Sequence, residues 1–240
     1  KPVGFKLCIG QSWEFMAIVK AMLEADNYPD FIVVDGSEGG TGAAPVEFMD
    51  HVGMPLQDGF LLVHNALVGA GIREKIKIGV SGKLVTAFDI ARMLAIGADW
   101  CNAARGFMFA VGCIQSRSCH TNKCPTGVAT QDLQRQKALD VPDKAERVKN
   151  FHANSLKSLA GIVSAVGVNH PRELRPYHVA RRVENGGIKL LSEQYYFMEN
   201  EALLNGTSDS DIYRTMWEMA DPDSFMPHHR SSQRTEKLAS

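Results

Sequence analysis

Short apolar runs alternate with helix-like segments from Val3 to about Ala110, and this alternation limits the fold more than anything else in the chain. Residues 3–9, 31–34, 75–80 and 99–103 read as strands. Residues 13–25, 59–69, 86–96 and 105–111 carry helical spacing, and Gly97 is a natural terminator for the third helix. Buried strands alternating with helices specify parallel βα units with right-handed connections. Each strand then runs into a polar or glycine-rich turn: Gly10-Gln11-Ser12, residues 35–42, Ser81-Gly82-Lys83 and Ala103-Ala104-Arg105-Gly106. In α/β folds ligands bind outside the carboxyl ends of the strands. One such turn merely closes a chain reversal, but four side by side make a site.

The third and fourth turns have the composition of a phosphate cradle. Glycines let the backbone approach, free N–H groups at a helix start attract anions, and Lys83 or Arg105 adds positive charge. In (β/α)8 barrels this role falls to the loops after strands seven and eight. The expected fold is therefore α/β: the carboxyl-terminal half of a TIM (β/α)8 barrel, four parallel βα units over residues 1–135, followed by a helical extension. Four strands cannot close a barrel, and two sheet edges are left without a partner. A missing half on another chain, a second copy, or a chain cut from something longer would each supply one. The start at Lys1-Pro2, without an initiator methionine, favours the last.

Three cysteines follow, Cys113, Cys119 and Cys124, in a polar run broken by glycine and proline that reads as a loop over residues 112–131. Three thiolates on one loop can converge on iron, and Pro125 follows the last as it often follows a final cluster ligand. Zinc with His120 as fourth ligand is a second reading, although zinc sites usually pair cysteines at closer spacing and His120 adjoins Cys119. Unligated thiols are a third. A disulfide framework is disfavoured by the odd count of five cysteines and a length of 240 residues, enough for a core without staples. Cys8 and Cys101 sit in apolar, strand-like runs, where cysteine acts as a small hydrophobe.

The 26 basic and 27 acidic side chains leave a net charge of −1, unlike the concentrated basic face of a nucleic-acid binder. No apolar run approaches the ~20 residues that span a bilayer. Thiol chemistry on a loop and the lack of a visible signal peptide fit a reducing, cytoplasmic compartment. Beyond the cysteine loop, residues 136–226 read as a mainly helical extension packed on the barrel. Asp140 and Pro142 start a long amphipathic helix that ends at Gly167. A short helix is expected over 170–183, a strand or docking segment over 189–197, and a helix over 210–219. Residues 227–240 are polar and read as a mobile tail, with His228 and His229 as a solvent-exposed pair.

Residues 35–45 (DGSEGGTGAAP), Ser81-Gly82-Lys83, residues 101–108 (CNAARGFM) and the whole cysteine loop resemble the FMN-binding synthase domain of glutamate synthases, in particular the stand-alone glutamate-synthase-like flavoproteins. The resemblance runs through residues 3–135 and more loosely to about 200. It implies a TIM barrel holding FMN and a [3Fe-4S] cluster, with Cys113, Cys119 and Cys124 as cluster ligands. It also implies FMN-phosphate loops at Ser81-Gly82-Lys83 and Ala104-Arg105-Gly106. Lys6 matches the family lysine beside the flavin and the 2-oxo acid, where an ammonium offsets negative charge. Read alone, Lys6 is a strand lysine reaching for water; flanked by Phe5 and Leu7 it is expected to face the barrel interior. Glu38, Gly39, Gly40 and Thr41 match the loop between flavin, substrate and cluster, with Glu38 beside Lys6 in the catalytic set. Gln11 falls at a polar position that helps to bind the oxo acid.

The implied reaction is reductive amination. Ammonia condenses with 2-oxoglutarate, and the imine is reduced to glutamate with electrons relayed from a donor, either ferredoxin or an NAD(P)H-linked subunit. The ammonia, free or derived from glutamine, comes from elsewhere, because no N-terminal nucleophilic cysteine is present. The chain by itself is expected to hold FMN weakly or not at all. Two alternatives remain. Another FMN-dependent barrel oxidoreductase, such as a 2-hydroxy-acid oxidase, would carry a His-x-x-Arg arrangement near the third or fourth turn, and neither turn has a histidine. A non-catalytic electron-transfer or assembly module would use the cysteine loop only for a partner.

Overall fold

The structure is a computed structural model that describes residues 1–37, 40–41, 44–45, 47–48, 51–184 and 186–228. Strands β1 (Gly4–Leu7), β2 (Phe31–Asp35), β3 (Lys77–Ser81) and β4 (Trp100–Asn102) alternate with helices α1 (Ser12–Glu24), α2 (Leu56–Gly69), α3 (Ala87–Ala95) and α4 (Ala104–Val111). Each strand pairs in parallel with the next, in the order β1-β2-β3-β4. The expected four βα units are present, with their ends displaced by a few residues.

Strand register sorts the side chains into two faces. Ile32, Val34, Ile78 and Val80 share one face and are fully buried against Phe15, Met16 and Val19 of α1, Phe60 and Val63 of α2 and Met93 of α3. Burying each such side chain stabilises the fold by roughly 1.5–3 kcal/mol. Lys6, Phe31, Val33, Asp35, Gly79, Ser81, Trp100 and Asn102 share the other face. Its floor is aromatic. The Trp100 indole lies across Gly79, where a Cβ would come within 2.3 Å of the ring, and Phe31 covers Gly4 in the same way at 2.5 Å. The two rings meet edge to face, 5.8 Å apart. Sequential strand order with α1, α2 and α3 on one face is the arrangement of half a (β/α)8 barrel.

The amino-terminal end of the sheet is fastened by one arginine. Arg73 donates through Nε to His64 Nδ1 (3.2 Å), to the carbonyls of Ile76 (2.9 Å) and Gly97 (2.8 Å), and to Asp99 Oδ2 (2.8 Å). Asp99 Oδ2 also accepts the Ile78 N–H at 2.8 Å. Burial, with the nearby Arg73 charge, pushes the His64 imidazole down to about 4, so it is neutral and accepts. Gly97 terminates α3 with φ +115°, and its α-carbon lies so close to the His64 ring that a Cβ would approach to 2.8 Å.

The extension holds α5 (Leu133–Gln136), α6 (Val141–Val166), β5 (Ala180–Arg182), β6 (Ile188–Leu190), α7 (Leu191–Gln194) and α8 (Asp211–Met219). Asp140 caps α6 by accepting the Asp143 N–H, and Gly167 ends it at φ +83°. The helix expected over 170–183 is absent. Two 3-10 turns, Pro171–Glu173 and Pro176–His178, lead into β5 instead. Pro176 would lack its donor and clash inside a continuous helix. Residues expected as a strand or docking segment over 189–197 divide into the end of an antiparallel β5–β6 hairpin and α7. The extension joins the core of the sheet unit through Leu191, Met198, Ala202, Leu203 and Ala220. Asn65 of α2 is buried and fully engaged there: its Nδ2 donates to the Tyr196 carbonyl and the Tyr213 hydroxyl, and its Oδ1 accepts the Met198 N–H. The expected tail lies outside the described residues from 229 onward, as does His229; His228 is exposed and sits 3.2 Å from Asp221. Among the described residues no helix is long and apolar enough to cross a membrane.

Candidate active site

The last inner-face position of each strand is polar: Lys6 on β1, Asp35 on β2, Ser81 on β3 and Asn102 on β4. Asp35, Ser81 and Asn102 are register partners, so they form a row across three neighbouring strands at ~4.8 Å spacing. Lys6 Nζ lies 2.5 Å from Asp35 Oδ2. Lys6 therefore points to the inner face, as expected, and not into the helix layer. Asp35 Oδ1 accepts the Ser37 N–H at 2.9 Å. Partial burial alone would raise the Asp35 carboxyl; its bonds from Lys6 and Ser37 outweigh that and hold it below the usual carboxylate range.

Sequence reasoning singled out Lys6 and Ser81 but not Asp35 or Asn102 as site residues. The available signal was parity. In a strand, alternate residues share a face, and the terminal polar residues of β2 and β3 are in step.

Gln11 caps the start of α1. Its N–H bonds Glu14 Oε2 at 3.3 Å, and the residue is exposed in the turn that follows β1. After β2, Gly40 turns the chain at φ +112°, donates to the Ser37 carbonyl at 2.7 Å and packs on Ala44. Thr41 is exposed and its carbonyl accepts the Ala44 N–H. Glu38 and Gly39 lie outside the described residues.

The turns after β2 and β3 are fused backbone to backbone. Gly36 N–H donates to the Ser81 carbonyl at 2.7 Å, and Gly82, at φ +136°, sits where a Cβ would meet the Gly36 backbone at 2.9 Å. Lys83 follows in left-handed backbone, φ +53°. Next door, α4 begins at Ala104 with no side-chain cap on Ala103. By contrast α3 satisfies its own start: Thr86 Oγ1 accepts the Asp89 N–H (3.1 Å) and Asp89 Oδ2 accepts the Thr86 N–H (2.9 Å). Among the described residues no hydrogen bond engages the first-turn N–H groups of α4, Ala104, Arg105 and Gly106, which can face an anion. Because Ser81 pairs with Asn102, the Ser81-Gly82-Lys83 turn and the α4 start stand side by side. This is the donor arrangement that a flavin phosphate requires, and the residues present fit it. Gly106 has a second reason to be glycine, since a Cβ would meet the Phe151 ring of α6 at 2.6 Å.

Helix α4 delivers the cysteine loop. Gly112 ends it at φ +116°, and the Cys113 N–H bonds back to Met108 at 2.9 Å. Asn122, also left-handed, ties the loop together: its Oδ1 accepts Thr130 Oγ1 (2.9 Å) and the Gln131 N–H (2.6 Å). Cys124 is buried in this loop. Burial raises its thiol, but hydrogen bonds from Thr126 and the N–H groups of Ala129 and Val128 more than offset this and bring it down to about 7. A poised thiolate ringed by N–H donors suits a soft metal. Among the described residues, however, no three His, Cys, Asp or Glu side chains are gathered as a metal-ligand group. The donor chemistry fits a thiolate-held cluster; the loop must draw Cys113 and Cys119 toward Cys124 to complete one.

None of the five cysteines is in a disulfide. Burial pushes the Cys101 thiol up to about 12, as a small hydrophobe. Cys8 departs from that expectation: β1 stops at Leu7, and Cys8 is exposed beside Gly53.

Residues 1–169 match the family described as the conserved region in glutamate synthase. The chain belongs to the glutamate synthase family. It is 46% identical over 188 residues to the glutamate synthase large subunit-like protein YerD of Bacillus subtilis, covering 78% of this chain and 36% of that protein. It is 34% identical over 182 residues to the archaeal-type glutamate synthase (NADPH) of Thermotoga neapolitana, covering 76% and 35%. Against the chloroplastic/mitochondrial ferredoxin-dependent glutamate synthase 1 of Arabidopsis thaliana the identity is 34% over 140 residues, 58% of this chain and 8% of that one. This glutamate synthase family member thus spans about a third of the length of the first two relatives. The matched segment contains the whole polar mouth of the sheet, the start of α4 and the cysteine loop.

Proposed function

We propose that this chain forms the carboxyl-terminal half of the flavin barrel of a glutamate synthase, and that the whole protein converts 2-oxoglutarate and ammonia to glutamate. The observation that carries the reading is the shared carboxyl end of the sheet. Lys6, Ser81 and the uncapped start of α4 lie along it, and α4 leads directly into the three-cysteine loop.

In this reading FMN would supply hydride chemistry and a [3Fe-4S] cluster single-electron chemistry, with ferredoxin or an NAD(P)H-linked subunit as the donor. The chain's own residues do the rest. Ser81-Gly82-Lys83 and Ala104-Arg105-Gly106 bind the flavin phosphate through backbone N–H groups and two cations. Gly40 and Thr41, with Gly39, shape the loop beside the ring. Lys6 offsets negative charge and, with Gln11, grips the oxo-acid carboxylates. Glu38 joins Lys6 in the catalytic pair. Cys113, Cys119 and Cys124 hold the cluster, and the N–H donors around Cys124 stabilise its thiolate. The missing half of the barrel, from the rest of the protein or a second copy, covers the inner face.

The test is anaerobic purification of the full-length protein with absorption, iron analysis and EPR. Flavin bands with a three-iron signal in the oxidised state support the reading. A colourless protein that holds zinc contradicts it.

A further inference from the structure

The Asp35 carboxylate is fixed by both oxygens, one on the Ser37 N–H at 2.9 Å and the other on Lys6 Nζ at 2.5 Å. Lys6 pairs in register with Val33, so its side chain reaches two positions along the neighbouring strand to find Asp35. The lysine side chain is 55% exposed and the aspartate 19%: an accessible ammonium is held by a more enclosed carboxylate. We propose that Asp35 is a positioning residue, the resident counter-ion that holds the Lys6 ammonium at the mouth and cedes it to an incoming ligand carboxylate.

This rests on the reading of Lys6 as the residue that grips the oxo acid. An anion reaching Lys6 must compete with Asp35, a charge already in place. Removing that charge makes anion binding easier. It also leaves the lysine without a fixed direction, and a displaced catalytic group is costly to turnover. The two effects act on different constants, whereas a merely structural role for Asp35 would lower stability and move both together.

The experiment compares wild type, Asp35→Asn, Lys6→Arg and Lys6→Met in the full-length flavoprotein. Asp35→Asn is expected to lower KM for 2-oxoglutarate by about two- to fivefold, the scale of an exposed ion pair, and to lower kcat by about tenfold or more. A second readout needs no turnover. Reductive methylation followed by peptide mass spectrometry is expected to label Lys6 faster in Asp35→Asn, with the other lysines unchanged; general unfolding would speed all of them. A KM that is unchanged or raised in Asp35→Asn, or a Lys6 labelling rate equal to wild type, overturns the proposal. If Lys6→Met is inactive, Lys6→Arg is partly active and Asp35→Asn behaves as wild type, the reading of Lys6 stands and the role of Asp35 falls. If Lys6→Met behaves as wild type, it is the reading of Lys6 that fails.

Discussion

The Phe151 ring of α6 fills the space that a side chain at Gly106 would need, at 2.6 Å from where its Cβ would stand. Phe151 also meets Phe107 edge to face at 5.1 Å. One ring from the extension therefore sets the position of the α4 amino terminus, the same terminus that offers its N–H groups at the mouth. Gly106→Ala is expected to destabilise the protein by about 1–3 kcal/mol through overpacking. The double change Gly106→Ala with Phe151→Leu should recover part of the loss. Urea melts of the four combinations measure the coupling; simple additivity would mean that the two positions do not share this space.

Gly82 makes the second close approach. Its φ of +136° and its contact with the Gly36 backbone leave no room for a Cβ. Gly82→Ala is expected to cost about 1–3 kcal/mol in stability, and to weaken flavin retention in the full-length protein because the turn must shift. Thermal melts and flavin-to-protein ratios check both. A variant with normal melting and full flavin would refute the fused-turn account.

Stability should depend on pH through His64. Its imidazole is held near 4 in the fold, against an ordinary value near 6.5 when unfolded. Between these values the unfolded chain binds the extra proton, so stability rises with pH across the window and falls as pH drops from about 6.5 to 4. The loss is about 3 kcal/mol at the bottom of the window. Urea unfolding at a series of pH values tests this, with His64→Gln as the control that flattens the slope. A slope unchanged in His64→Gln would assign the effect elsewhere.

Cysteine replacement separates the loop from the rest. Ser at Cys113, Cys119 or Cys124 is expected to abolish the cluster signal in the full-length protein, while Cys8→Ser and Cys101→Ser retain it. Iron content after anaerobic purification reads the result.

The sheet unit was legible because each strand is a short apolar run closed by a glycine-rich turn, and each helix carries a periodic face. Thr86 and Gly97 bracket α3 by capping chemistry that a sequence displays directly. The extension was less legible. Pro171 and Pro176 break what the apolar spacing suggests is one helix, and β5 is an exposed three-residue strand with no periodic signal. At the site, Lys6 and the phosphate turns were visible as residue types at strand ends. Parity along β2 places Asp35 on the inner face, but its pairing with Lys6 was hidden because register between strands is written in no local pattern. The Gly106–Phe151 contact was hidden for the same reason, since the two residues are joined by packing alone.

The proposed conversion of a 2-oxo acid to glutamate places Lys6, at the polar mouth of this sheet, in contact with the acid. The most direct measurement supplies the full-length holoprotein with 2-oxoglutarate, 15N-labelled ammonium and a chemical reductant, and follows labelled glutamate by mass spectrometry. Labelled glutamate is expected from the wild type, with a loss of about a hundredfold or more in Lys6→Met. A flavin-loaded wild type that makes no glutamate, or a Lys6→Met variant that makes it at the wild-type rate, would contradict the proposal.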